Sequence, residues 1–98
     1  MPENAVPLAA SSVLVVLPAA LVALFPGCPR QATLSAATVS EVIAALNTRW
    51  PGMRDRICDS RPAIRRHIHI FVDGERATLQ TRLAQGAEVL VMTAISGG

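Results

Sequence analysis

The chain has 98 residues, 51% apolar and 16% charged, a composition that suits one folded domain, argues against disorder over most of its length and excludes two separate cores. Its formal charge of +2 comes from nine basic residues against seven acidic ones. All nine are arginines, scattered along the chain, and the excess is too small for a nucleic-acid surface.

Residues 1–10 contain Pro2 and Pro7 and little periodicity, and they read as a flexible leader before a domain over 11–94 and a flexible tail over 95–98. From Ala5 to Gly27 no residue is charged, which raises the question of export. A secretory signal opens with positive charge, whereas Glu3 is the charged residue here, and Pro18 interrupts the apolar run. Phe25-Pro26-Gly27-Cys28 resembles a lipoprotein cleavage site only faintly, because proline before the small residue fits badly. The expectation is a cytoplasmic chain with no membrane association.

Ser11 to Leu17 is a β-branched, apolar run stopped by Pro18, the pattern of a strand buried on both faces. Ala19 to Phe25 is either a helical turn or more strand until Pro26-Gly27 ends it. Gln31 to Ser35 alternates polar and apolar and is predicted to be a second strand. Thr38-Val39-Ser40-Glu41 has the form of a capping box, and Val39, Val42, Ile43, Leu46 and Trp50 follow at helical spacing. A helix therefore starts at Thr38, buries one stripe, and stops at Pro51-Gly52. Met53 to Arg66, rich in arginine and broken by Pro62, reads as a connection with one short helical turn.

His67 to Val72 alternates, which predicts a strand with Ile68, Ile70 and Val72 on one face and His67, His69 and Phe71 on the other. Asp73-Gly74 suits a tight hairpin turn, and a return strand is expected over Glu75 to Leu79. After a turn at Gln85-Gly86, Glu88 to Thr93 is predicted to be the last strand, with Val89 and Val91 inward and Leu90 and Met92 outward. The resulting fold class is α+β: a mixed sheet of four to five strands with one main helix covering one face. Beyond the last strand the chain runs through Ile95 and Ser96 to Gly97-Gly98, two residues without side chains that fit a narrow channel.

The order of elements, the Asp73-Gly74 hairpin, the Gln85-Gly86-Ala87-Glu88-Val89 approach and the Ile95-Ser96-Gly97-Gly98 end together resemble the ubiquitin-like sulfur carriers, the MoaD and ThiS proteins. The similarity runs from about Val13 to Gly98. Within that family the members used in cysteine biosynthesis are the most similar, through Trp50-Pro51-Gly52-Met53 and Arg66-His67-Ile68-His69-Ile70-Phe71-Val72. The resemblance implies a β-grasp fold and a chain that is a substrate of enzymes, not an enzyme. It implies that a ubiquitin-activating-type adenylating enzyme uses ATP to activate the Gly98 carboxylate, which becomes a thiocarboxylate. A sulfur-transfer or synthase enzyme then consumes it. Ile95, Ser96 and Gly97 would thread behind Gly98, the carrier would bind no cofactor of its own, and an outer sheet face carrying Leu17, Phe71, Leu90 and Met92 would meet the activating enzyme.

Other chemistry has weaker support in the residues. No nucleophile–base pair, phosphate loop or metal set is written in the chain. His67 and His69 share a strand face but lack accompanying Cys, Asp or Glu ligands. Arg65 and Arg66 are either hydrated or paired with an acidic groove or a phosphate-bearing substrate of a partner. Cys28 and Cys58 have no metal spacing and read as two ordinary thiols. Two further readings stay open: a ubiquitin-like modifier joined through Gly98 to lysines of other proteins, and an exported domain with a Cys28–Cys58 bridge.

Overall fold

In the computed structural model, which describes residues 11–93, alternation of apolar side chains builds a five-stranded sheet. The strands are β1 (Ser11–Val16), β2 (Gln31–Ala36), β3 (Ile68–Val72), β4 (Glu75–Arg76) and β5 (Glu88–Thr93), ordered β2-β1-β5-β3-β4. β1 and β5 lie parallel at the centre, and the other pairings are antiparallel. The central pair carries the core: Val13, Val15, Val89 and Val91 are no more than 1% exposed. Complete burial of such a side chain is worth about 1.5–3 kcal/mol.

Among the described residues three helices accompany the sheet: α1 (Ala19–Val22), α2 (Val39–Arg49) and α3 (Met53–Ile57). The open choice over Ala19 to Phe25 resolves as a helical turn, started by Pro18, whose carbonyl accepts from the N–H groups of Leu21 and Val22 at 3.1 Å. Proline suits that position because it has no N–H to leave unpaired. α2 lays Val39, Val42, Ile43 and Leu46 into the core, with Trp50 packed at its margin.

The cap on α2 differs in one contact from the reciprocal box. Thr38 Oγ1 accepts from Glu41 N–H at 3.3 Å, but the Glu41 carboxylate takes the N–H of Ala37, at 2.8 Å. The neighbouring N–H groups of Val39 and Ser40 donate to the carbonyls of Thr81 and Leu79. At the other end, Asn47 Oδ1 accepts from the N–H groups of Gly52 and Arg54 at 3.0 and 3.1 Å and so joins α2 to α3. Gly52 turns the chain there at φ +100°, which a side chain would strain.

The Asp73-Gly74 hairpin has positive φ at both central residues, 50° and 89°, as its turn type requires. The return strand is shorter than the predicted Glu75 to Leu79. Its strand pairing with β3 covers Glu75 and Arg76, and one further bond, from Ala77 N–H to the Ile70 carbonyl at 2.8 Å, ends the contact. Ala77 and Leu79 bury themselves instead, and a Thr78–Thr81 turn carries the segment towards the start of α2. The predicted strand start also moves: β3 begins at Ile68, because Arg66 and His67 form a turn in which Ile68 N–H donates to the Arg65 carbonyl at 2.9 Å.

Candidate functional site

The sheet has one face under α2 and one outer face. In-register pairing aligns Gln31, Val16, Leu90, Phe71 and Arg76 as one row across all five strands, with the Met92–His69 pair one step further along β5. Successive residues of a strand point to opposite faces, so this row lies opposite the buried Val15, Val89 and Ile70. Val16, Leu90 and Phe71 are half-buried, and Met92 is 44% exposed. Three of the four residues predicted for the docking face, Phe71, Leu90 and Met92, thus come together on it.

Leu17 does not. It is fully buried, in phase with Val13 and Val15, and its N–H donates to the Arg30 carbonyl at 2.8 Å. The outer positions of that segment are Leu14 and Val16. The sequence signal was available in part: once Val13 and Val15 face inward, a period of two puts Leu17 inward as well.

A polar cluster borders the apolar row. Arg76 Nη2 lies 2.7 Å from His69 Nδ1, and its guanidinium sits 5.9 Å from the centre of the Phe71 ring. The contact requires that Nδ1 be the unprotonated ring nitrogen and accept. Arg76 therefore covers part of the Phe71 face with a planar cation. His67 and His69 do not share this face, since His67 belongs to the turn before β3. Among the described residues, no three His, Cys, Asp or Glu side chains gather as a metal site.

β5 ends at Thr93 beside an open groove of about 240 Å³, lined among others by Val16, Pro18, Arg30, Leu90 and Met92. Arg30 Nε donates to the Leu17 carbonyl at 2.7 Å across this groove's floor. The predicted leader, residues 1–10, and the tail residues Ile95, Ser96, Gly97 and Gly98 lie outside the described residues.

Cys28 and Cys58 are buried free thiols, without a bridge between them. Burial pushes both thiols up from the ordinary range. At Cys58 the charges of Arg54 and Arg65 oppose that rise, and Asp59 adds to it. Among the described residues no helix is long and apolar enough to cross a membrane.

Comparison with known proteins agrees with this architecture. SAMP1 from Haloferax volcanii superposes with a TM-score of 0.76 at 26% identity, covering 90% of this chain and 100% of that one. CysO from Mycobacterium tuberculosis gives 0.75 at 26% identity, covering 85% of this chain and 99% of that one. A chain of the BexX/CysO complex from Amycolatopsis orientalis gives 0.78 at 23% identity, over 88% and 99%, a likeness of fold. No curated protein matches the sequence. The ThiS family model matches residues 23–98, most of the chain. With the sheet order, the main helix and the outer face already in view, the conclusion is that this chain belongs to the ThiS family of ubiquitin-like sulfur carriers.

Proposed function

We infer that the chain carries sulfur on the carboxylate of Gly98. The observation that carries this reading is the family match, which continues past β5 to residue 98. In the first step a carboxylate oxygen of Gly98 attacks the α-phosphorus of ATP, and pyrophosphate leaves. The acyl-adenylate has a good leaving group, so a sulfur nucleophile attacks its carbonyl carbon and AMP departs, leaving a thiocarboxylate. The carrier contributes no catalytic side chain to either step. Gly97 and Gly98 offer a slender lead into the partner, with Ile95 and Ser96 behind them.

Docking of the adenylating enzyme falls to the outer sheet face, through Leu90, Phe71 and Met92, with Leu14 and Val16 in the place first expected for Leu17. The subsequent acceptor enzyme transfers the sulfur to a metabolite, and the Trp50-Pro51-Gly52-Met53 helix ending supports cysteine biosynthesis as its pathway. An ATP-using partner of this kind would act in the cytoplasm. The direct test is intact mass after incubation with ATP, sulfide and the adenylating enzyme of the source organism. Replacement of oxygen by sulfur adds about 16 Da, and a wild-type mass that stays constant while the enzyme activates another carrier would falsify the reading.

A second reading, a protein modifier joined through Gly98 to lysines of other proteins, is favoured by the likeness to SAMP1. It uses the same acyl-adenylate with an amine in place of the sulfur nucleophile. Lysines of other proteins that carry the Gly98-linked end of this chain, residues 83–98 after cleavage at Arg82 by trypsin, recovered from cells expressing it, would identify it.

A further inference from the structure

Charge is unevenly divided between the two ends of the sheet. At the start of β5, Glu88 N–H donates to Asp73 Oδ1 at 3.0 Å and Asp73 N–H donates to the Glu88 carbonyl at 2.9 Å. Glu75 continues this acidic end on β4. Glu41 joins it at the start of α2, because β2 ends there with Ala36 opposite Ser11. Arg82, bridged to Thr38, is a basic residue beside them.

The opposite end, where β5 finishes at Thr93, is basic. β5 has six residues, so its two ends stand about 17 Å apart at roughly 3.4 Å per residue. On one side of Thr93, Arg30 lines the groove shared with Met92. On the other, Ile68 pairs with Thr93, and the turn just before it holds Arg65, Arg66 and His67. Arg56, Arg65 and His67 line a second groove of about 530 Å³ together with Gly52 and Asp55. Arg65 Nε donates to the Asp55 carbonyl at 2.8 Å, as Arg30 Nε does to Leu17. Both guanidinium groups are thereby held by backbone, and among the described residues their terminal nitrogens meet no acceptor.

We propose that this basic collar, Arg30 on one side of Thr93 and Arg56, Arg65 and Arg66 on the other, docks on a carboxylate-rich rim around the partner channel that receives the tail. The proposal rests on the carrier reading above and names the chemistry of its partner. A protein surface fits better than a free nucleotide, because the arginines occupy two separate grooves flanking the strand end. Guanidinium forks match carboxylates in paired hydrogen bonds, and complementary charge raises association rate and fixes register. The apolar outer face and the collar then act together: one supplies contact area, the other aligns the exit of the tail with its channel.

The experiment compares wild type with Arg30→Glu/Arg65→Glu, with the exposed-site variant Arg66→Glu, and with Glu75→Arg at the acidic end. Adenylation by the source organism's adenylating enzyme is followed by pyrophosphate release. The double variant should raise the KM for the carrier about tenfold at low ionic strength with kcat unchanged. The difference should shrink at about 0.5 M salt as screening shortens the reach of charge. Arg66→Glu should move KM the same way, and Glu75→Arg should leave it alone. Equal KM values throughout, or an equal rise in Glu75→Arg, would overturn the collar. An arm independent of the enzyme titrates the whole chain with hexaglutamate or with ADP and follows backbone amides by NMR. Hexaglutamate should shift Arg30, Arg65, Arg66 and His67 selectively, whereas scattered shifts or tighter binding of ADP would reject the proposal. A wild-type chain that takes no adenylate speaks against the carrier reading, and the NMR arm still decides the collar.

Discussion

Leu17 and Met92 show how one position in a strand separates structure from recognition. Leu17 is fully buried whereas Met92 is 44% exposed, although both are large apolar side chains near the same groove. Leu17→Ala should cost about 2–5 kcal/mol, the range for emptying a core leucine site. Met92→Asp should change stability by less than about 0.5 kcal/mol, as exposed substitutions do. Its effect should fall on partner binding, weakened about tenfold by loss of roughly 1.4 kcal/mol of contact. Urea unfolding and titration against the adenylating enzyme test the two together, and a stable Leu17→Ala protein would contradict the assigned strand phase. Asp59 gives a residue-scale pH prediction. Hydrogen bonds from the Arg61 side chain and backbone, with Ala63 N–H, hold its carboxyl at about 2. The folded value lies below the ordinary carboxylate range near about 4, so its contribution to the 59–63 loop is complete above that range. It is lost as pH falls through about 2. A side-chain carbon titration of Asp59 with a midpoint near about 4 would contradict this arrangement.

At the scale of elements, α2 was legible because its signals are local. Thr38, the Val39 to Leu46 stripe and the Pro51-Gly52 stop all lie within one short stretch, and the helix runs from Val39 to Arg49. Thr38→Ala should lower stability by about 1 kcal/mol through loss of the acceptor for Glu41 N–H. Asn47→Ala should cost about 1–3 kcal/mol, because two N–H groups at the α2–α3 junction lose one acceptor. Urea midpoints with an unchanged slope would verify both; an Asn47→Ala protein as stable as wild type would show that water replaces the amide there. The 75–79 segment departs from the expected strand for the converse reason. Its alternation fits a strand, but the carbonyls of Leu79 and Thr81 are taken by N–H groups at the start of α2. Those partners lie far away in sequence, and no local pattern announces them.

Over the whole molecule, the sequence by itself determined the order of the main strands, the single main helix and the Asp73-Gly74 turn. Each of these follows from neighbouring residues through side-chain periodicity, capping and turn chemistry. The diglycine end and the resemblance it completes were equally open to reading, since that proposed chemistry is written in consecutive residues. Only the tertiary structure decided which face Leu17 occupies, because its run is apolar at every position and pairing with β5 sets the phase. Only the fold brings Arg30 and Arg65 to opposite sides of Thr93, through the parallel β1–β5 and antiparallel β3–β5 registers. Strand pairing joins residues that are remote along the chain, and the electrostatic end of the sheet is a product of that pairing.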